Sequence, residues 1–283
     1  MPEEKLVSVI TPALNAALLI EHTIRSVQAQ TYKSWEMLIV DDCSEDNTCQ
    51  IVEQFAKGDS RICLIRHHQN MGPAASRNTA IKAAKGRYIA ILDSDDMWLP
   101  NKIEKQVNFM EANPAVVVMG TAARLIYSNG TQRVRYRPLD TMSIRKNIIK
   151  ICPFTHSSVM IRKGVFDKVG LYDVAKDGAK ETLVEDYDLW VRILAAGCEM
   201  ANTAEVLMIC HRNPRSVMRG HSFWKRLKQR ILSRKNAIKT LNLPFASYFN
   251  LIPVIVLNIA SHYGLKLDFF FKILSKLQGR RIK

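Results

Sequence analysis

Apolar and polar positions along this chain fall into two alternating rhythms. Residues 6–13, LVSVITPA, form a short apolar run that reads as a buried strand, and residues 18–30 then repeat apolar side chains at helical spacing through Ile20, Ile24 and Val27. The alternation continues with a strand at 36–42, a helix at about 48–57, a strand in ICLIRH and a helix at 73–84 that has Pro73 in its first turn. A fourth strand in RYIAIL, a helix at 99–112 and a fifth strand in AVVVMGTA complete the series. Apolar strands separated by helices of this length predict βαβ crossovers and a mostly parallel sheet covered on both faces, an α/β fold. After about Gly130 the rhythm breaks into short mixed segments, among them an expected strand at 156–161 and an expected helix at 184–196.

In such sheets ligands bind beyond the carboxyl ends of the strands. The strand ends here carry Thr11, Pro12 and Asn15, then Asp41 and Asp42, then His67 and His68, and finally Asp93, Asp95 and Asp96. The last group follows an unbroken apolar run in RYIAILDSDDMWLP. A helix cap or polar turn explains one acid. Three acids within four residues repel one another unless a positive charge sits between them, and hard oxygen ligands suit Mg²⁺ or Mn²⁺. A second acidic group, Glu185, Asp186 and Asp188, opens the helix at 184–196. The helix dipole favours acids there, but a reaction that needs both a metal and a general base also needs two acidic groups far apart in sequence.

Composition changes this picture in one place. The net charge is +15 over 283 residues, and residues 223–283 alone carry 13 Lys and Arg against the single acid Asp268. The body is therefore close to neutral and the excess belongs to a C-terminal tail. Its segments are basic with apolar residues at helical spacing, as in FWKRLKQRILSRKNAIKTL, which fits helices lying in an anionic membrane interface. A helical cap on the domain or a homodimer contact is the alternative. The apolar stretch at 243–260 is short and interrupted by Pro244, Asn250, Pro253 and Asn258, so no membrane span is expected. Nucleic acid is not an expected partner, because the basic residues belong to no recognition fold. The six cysteines show no metal-ligand spacing and read as thiols of a reducing compartment. The opening MPEEKLVSVI lacks the features of a signal peptide. A cytoplasmic protein, peripheral on the inner face of the membrane, is the expectation.

VSVITPALN, LIVDDCSEDNT, NMGPAASRNTAIKAAKGRYIAILDSDD and VEDYDLWVR together resemble the family 2 glycosyltransferases, in the family order, from about residue 6 to residue 219. The similarity is to bacterial enzymes that build O-antigen, capsule or teichuronic-acid polysaccharides. The QxxRW motif of processive cellulose and hyaluronan synthases is missing. The resemblance implies the GT-A fold, a nucleotide-sugar donor of the UDP type, a divalent Mn²⁺ or Mg²⁺, and a saccharide acceptor carried on a polyprenyl diphosphate lipid. It implies further that Thr11 and Pro12 border the nucleotide, that Asp42 bonds the uracil edge and that Arg77 lies close to the donor. Asp93 would face ribose and metal, Asp95 would bind the metal bridging the diphosphate, and Asp96 would touch the donor sugar or the acceptor. Asp186 would be the catalytic base with Glu185 beside it. His211, Arg212, Arg215 and Arg219 occupy the place of a loop that closes over the diphosphate in relatives, although His211 stands where many of them have tyrosine.

One carboxylate base with no second carboxylate as nucleophile predicts inversion at the anomeric carbon. The expected organisation is a glycosyltransferase domain over 1–221, with a donor half to about 121 and an acceptor half from 122, followed by the tail at 222–283. Two other classes fit the sequence less well. A sugar-nucleotide nucleotidyltransferase would carry a glycine-rich loop after its first strand, whereas TPALNAALL has no glycine. A non-catalytic membrane- or nucleic-acid-binding module is disfavoured by acidic clusters that repel phosphates in the absence of a metal.

Overall fold

Alternate residues of the first strands are buried on opposite faces, which builds two cores around one sheet. β1 (Val7–Ala13) sends Val7 and Val9 to one side and Ile10 to the other; β2 (Trp35–Asp41) does the same with Met37 and Ile39 against Leu38 and Val40. The molecule is a computed structural model that describes residues 5–174, 184–212 and 222–262. The first core is closed by α1 (Ile20–Gln28) and α4 (Lys102–Ala112). The second is closed by α3 (Pro73–Ala83), by α7 (Glu185–Ala195) and by α8 (Phe223–Thr240). α2 (Thr48–Gly58) and β3 (Ile62–Arg66) complete the early series, and β4 (Tyr88–Ile91) ends it.

Among the described residues nine strands form one sheet in the order β3-β2-β1-β4-β8-β6-β9-β5, with β7 (Gln132–Arg135) attached to β6. The pairings of β1 with β2 and β4, and of β2 with β3, are parallel as expected. Beyond β4 the sheet is mixed. β8 (Met160–Arg162) lies antiparallel between β4 and β6 (Val116–Tyr127), β6 runs parallel to β9 (Glu199–Arg212), and β5 (Asp96–Trp98) is antiparallel to β9. The short β5 was not expected. Its three residues lie inside the acidic turn and become a strand because Asp96, Met97 and Trp98 pair with Cys210, Ile209 and Met208. The strand expected at 156–161 begins instead as a 3₁₀ turn, His156–Ser158, held by Ser158 N–H and Oγ donating to the Thr155 carbonyl at 2.9 and 2.6 Å.

α5 (Thr141–Asn147) and α6 (Val165–Val169) support the second core, and α9 (Leu251–His262) follows α8. α8 buries Ala237 and Ile238 into the second core, and Leu251 of α9 joins them. The chain after 222 therefore starts as part of the body. No described helix is long and apolar enough to cross a membrane. The basic segment at 263–283 lies outside the described residues.

Candidate active site

Arg77 is the residue around which the rim is built. Its neighbours Ala74, Ala80 and Ile81 on α3 are buried, so helical spacing carries its guanidinium into the protein, where it is 5% exposed. There Nη2 donates to Asp93 Oδ1 at 2.8 Å and Nη1 to Glu185 Oε1 at 3.1 Å. One cation thus joins the acid that ends β4 to the acid that begins α7, 108 residues beyond Arg77 in the chain. Burial would lower the pKa of Arg77, but Asp93 and Glu185 outweigh it and hold the guanidinium above its ordinary range. Burial pushes Asp93 up, yet Arg77, followed by His156, brings its carboxyl below the usual value. Glu185 goes the other way. Burial, with Asp186 adding to it against Arg77, pushes it up to about 7.

Asp95 turns to a different place. With Leu19, His22, Thr23, Met97 and His211 it lines a cavity of about 250 Å³ between α1 and the β5–β9 pair. His211 Nδ1 is buried there with no hydrogen-bond partner. An acidic oxygen and an unpaired imidazole nitrogen facing one cavity are a donor set that fits a divalent cation of the Mn²⁺ type. No group of three or more potential ligands is assembled among the described residues, so water and ligand oxygens would supply the remaining positions. Asp93, expected beside Asp95 in a metal site, does not line that cavity; it faces Arg77. Asp96 is 5% exposed, and burial followed by the charges of Asp95 and Asp93 raises it to about 8. It begins β5 instead of projecting from the rim, and its Oδ1 is buried without a partner.

Asp186 lies in the first turn of α7. Its Oδ1 accepts from Tyr187 N–H at 2.6 Å, and the Cys152 thiol approaches Oδ2 at 3.8 Å. Burial, then Asp186, pushes that thiol up to about 12, so Cys152 stays protonated beside the carboxylate. His156 stands close by. Its Nε2 is 2.9 Å from the Tyr172 hydroxyl, its ring packs edge-on against Trp190, and burial and then Arg77 lower it to about 4. A neutral imidazole therefore faces the carboxylates. Cys152, His156 and Tyr172 were not singled out in the sequence, where no local pattern marks them.

Near the end of β1, Pro12 is half-buried while Thr11 is fully buried with its hydroxyl unpartnered. Asp42, 3% exposed, takes a task the motif did not suggest. Its Oδ1 accepts from Met71 N–H at 2.9 Å and contacts His67 Nδ1 at 2.8 Å, and its Oδ2 accepts from Gly72 N–H at 2.7 Å. Gly72 has φ 85°, a left-handed conformation that suits glycine, and it delivers Pro73 to the first turn of α3. His67, which follows β3, reaches from Asp42 to Thr79 Oγ1 at 2.9 Å. Asp42 therefore anchors the loop before α3, and a base edge could use only its remaining acceptor capacity. Arg215 and Arg219 of the expected diphosphate loop lie outside the described residues, as does the side chain of Arg212.

Residues 8–170 match the family model "Glycosyl transferase family 2". Over 260 residues, 92% of this chain and 96% of the relative, the sequence is 32% identical to the UDP-Glc:alpha-D-GlcNAc-diphosphoundecaprenol beta-1,3-glucosyltransferase WfgD of Escherichia coli. A 105-residue segment, 37% of this chain, is 52% identical to the putative teichuronic acid biosynthesis glycosyltransferase TuaG of Bacillus subtilis and spans 42% of that protein. Among solved structures, S. aureus TarS 1–349 in complex with UDP-GlcNAc superposes with a TM-score of 0.65 at 17% identity, covering 83% of this chain and 70% of that one. The mannosyltransferase PcManGT of Pyrobaculum calidifontis, in complex with GDP-Man and Mn²⁺, superposes at 0.63 and 18% identity, covering 97% of this chain and 81% of that one. These likenesses establish the GT-A fold.

Proposed function

This chain belongs to glycosyl transferase family 2, and we propose that it moves a sugar from a nucleoside diphosphate donor, of the UDP type, to a hydroxyl of a lipid-linked saccharide with inversion at the anomeric carbon. The observation that carries this reading is the Arg77 bridge. It draws the acid that ends β4 and the helix bearing Asp186 onto one rim, at the carboxyl ends of the parallel strands.

Asp186 serves as general base in this reading. It takes the proton of the incoming hydroxyl as that oxygen attacks opposite the leaving nucleoside diphosphate. Glu185 positions the turn through Arg77, and the neutral His156–Tyr172 pair offers the acceptor hydrogen bonds without competing for the proton. Asp95 and His211 would hold the divalent cation, which when bound offsets the charge developing on the diphosphate. Thr11 and Pro12 border the nucleotide, Asp42 keeps the loop before α3 in place behind it, and Asp93 fixes Arg77. Arg212, Arg215 and Arg219 would reach the diphosphate.

The similarity to WfgD and TuaG supports a place in bacterial surface-polysaccharide synthesis, with an acceptor on a polyprenyl diphosphate. The surplus of basic residues after 222 supports a peripheral seat on an anionic membrane surface. A direct test is a panel of nucleotide sugars with and without Mn²⁺, reading which nucleotide is released. Metal-dependent release of UDP from one sugar is the expected outcome, and release unaffected by EDTA would remove the metal from the proposal.

A further inference from the structure

α8 has two unlike faces. Leu227, Arg234, Ala237 and Ile238 are buried along one side, and the last two join the second core. Lys228, Leu232, Lys235 and Lys239 follow one another at spacings of four, three and four, which gathers them into one stripe away from that side. All four are exposed. Among the described residues none of the three lysines forms an ion pair. Residues 222–262 hold seven Lys and Arg and no Asp or Glu. The acids Asp173, Glu185 and Asp188 meet α8 on another flank, in a cleft shared with Gln229, Ser233 and Asn236, and no lysine of the stripe lines it. Arg77 already engages Glu185, and Arg192 engages Asp188.

A second, independent feature follows α8. The chain passes through the 3₁₀ turn Phe245–Asn250 into α9, and residues 240–261 carry no charged side chain. Phe245 and Phe249 are 78% and 65% exposed, and Ile252, three residues on, is 51%. Every other described phenylalanine is buried or half-buried. Large apolar side chains clustered at a surface call for a cover.

The cover has to be anionic where it meets lysine and apolar where it meets phenylalanine. Residues 263–283 of this chain do not suit it, since they hold six Lys and Arg against the single acid Asp268. A second copy joined about a two-fold axis would set one lysine stripe against the other. An anionic bilayer meets both demands, with charged headgroups above an apolar interior.

We infer that the Lys228–Lys235–Lys239 stripe and the Phe245–Phe249–Ile252 turn form the face by which this protein lies on an anionic lipid bilayer. The choice of a bilayer rests on the peripheral reading given above, and it moves the seat from the basic terminal segment to the folded body. The lysines lie at the headgroups, and the rings enter the upper acyl region. α8 joins this seat to the candidate site, because Arg234 on its inner side lies over the ring of Tyr187 at 4.9 Å, next in sequence to Asp186.

The test is co-sedimentation of the full chain with vesicles of phosphatidylglycerol and phosphatidylcholine, beside vesicles of phosphatidylcholine alone. Wild type should bind only the former, and high salt should release it in part. A lysine at such a surface is worth about fivefold in affinity, so K228Q/K235Q/K239Q should bind about 100-fold more weakly. K57Q/K82Q/K146Q removes the same charge from exposed positions elsewhere and should bind far better than that variant. F245S/F249S should bind about tenfold more weakly or worse and be released completely by salt. Should F245S/F249S fail to fold, the two lysine variants carry the test. Wild-type binding by K228Q/K235Q/K239Q and F245S/F249S would overturn the face and leave the peripheral reading standing. Equal losses in the two lysine variants would also overturn it, since net charge alone would then act. A solution dimer that F245S/F249S abolishes, with vesicle binding unchanged, would give the face to a second copy. Wild type that ignores phosphatidylglycerol vesicles at low salt would refute the peripheral reading itself.

Discussion

The two halves of this sheet are built by different means. From β1 to β4 the strands pair with one another in parallel and every crossover carries a helix, so local periodicity and fold agree. From β5 to β9 parallel and antiparallel pairs mix, and α7 and α8 fall outside the regular strand–helix alternation. The acids that face one another across the rim belong one to each half. Asp93 and Asp95 end the regular half, whereas Asp186 and His211 belong to the irregular one. In the proposed function the regular half acts as a platform for a donor, and the irregular half brings the groups that act on what the platform holds.

The sharpest way to break this comparison is to remove one acid from each half. Asp186→Asn should leave donor affinity close to wild type and slow transfer by about 10²–10⁴-fold, because an amide of equal size cannot take the hydroxyl proton. Asp95→Ala should instead abolish Mn²⁺-stimulated donor binding and lower turnover by about 10²-fold or more. Calorimetry with UDP and Mn²⁺ beside a transfer assay distinguishes them. If both variants lost donor binding alike, the division of labour between the halves would be wrong.

The link between the halves comes next in size. Arg77→Met removes the cation that Asp93 and Glu185 share and leaves both carboxylates without it. Taking one partner from a buried ion pair costs about 3–5 kcal/mol. The Asp93 side chain is 33% exposed, so the lower part of that range is expected. Chemical denaturation should show the loss, and turnover should fall as well. A variant as stable as wild type would mean that the bridge does not join the halves.

How legible each half is follows from the same contrast. β1 to β4 could be read because apolar periodicity is a local signal, and α3 because Pro73 opens it. β5 could not, since three residues in an acidic turn become a strand only through β9, more than a hundred residues later. The DSDD acids were visible as a cluster. That Asp95 would meet His211 in one cavity while Asp93 met Arg77 was not, because no spacing encodes a partner so distant. Arg77 did leave a trace. It occupies a helix position three residues from Ala74 and Ala80 and four from Ile81, where an apolar side chain would ordinarily point inward. Asp42 was read as a ligand contact because the strand-end motif implies one, yet its side chain is engaged by the backbone of a loop it could not be seen to touch.

Within the platform, His67→Ala should have a modest effect. It removes a bridge from Asp42 to Thr79 but leaves the two backbone N–H donors that reach Asp42. A cost of about 1–2 kcal/mol is expected in stability, within the range for a partly buried hydrogen-bonding group, together with a weaker grip on the donor nucleotide. Wild-type stability with wild-type nucleotide affinity would show that the backbone contacts suffice.

The smallest effect is also the one with a definite sign. Glu185 is pushed up to about 7, chiefly by burial, from an ordinary value of 4.5. Between those two values the folded protein binds more protons than the unfolded chain. Linkage then requires that the stability contributed by this carboxyl is present in full below about 4.5 and is lost as pH rises through about 7. Glu185→Gln keeps the shape and the capacity to accept from Arg77 but removes the titration. Wild type should therefore lose stability relative to Glu185→Gln as pH is raised across that window, and the two curves should run parallel above it. Melting curves at several pH values measure the difference directly. A wild type that gained stability relative to the variant over the same window would mean that Arg77, and not burial, sets the charge of Glu185, and that the carboxylates of the two halves are joined by a conventional salt bridge.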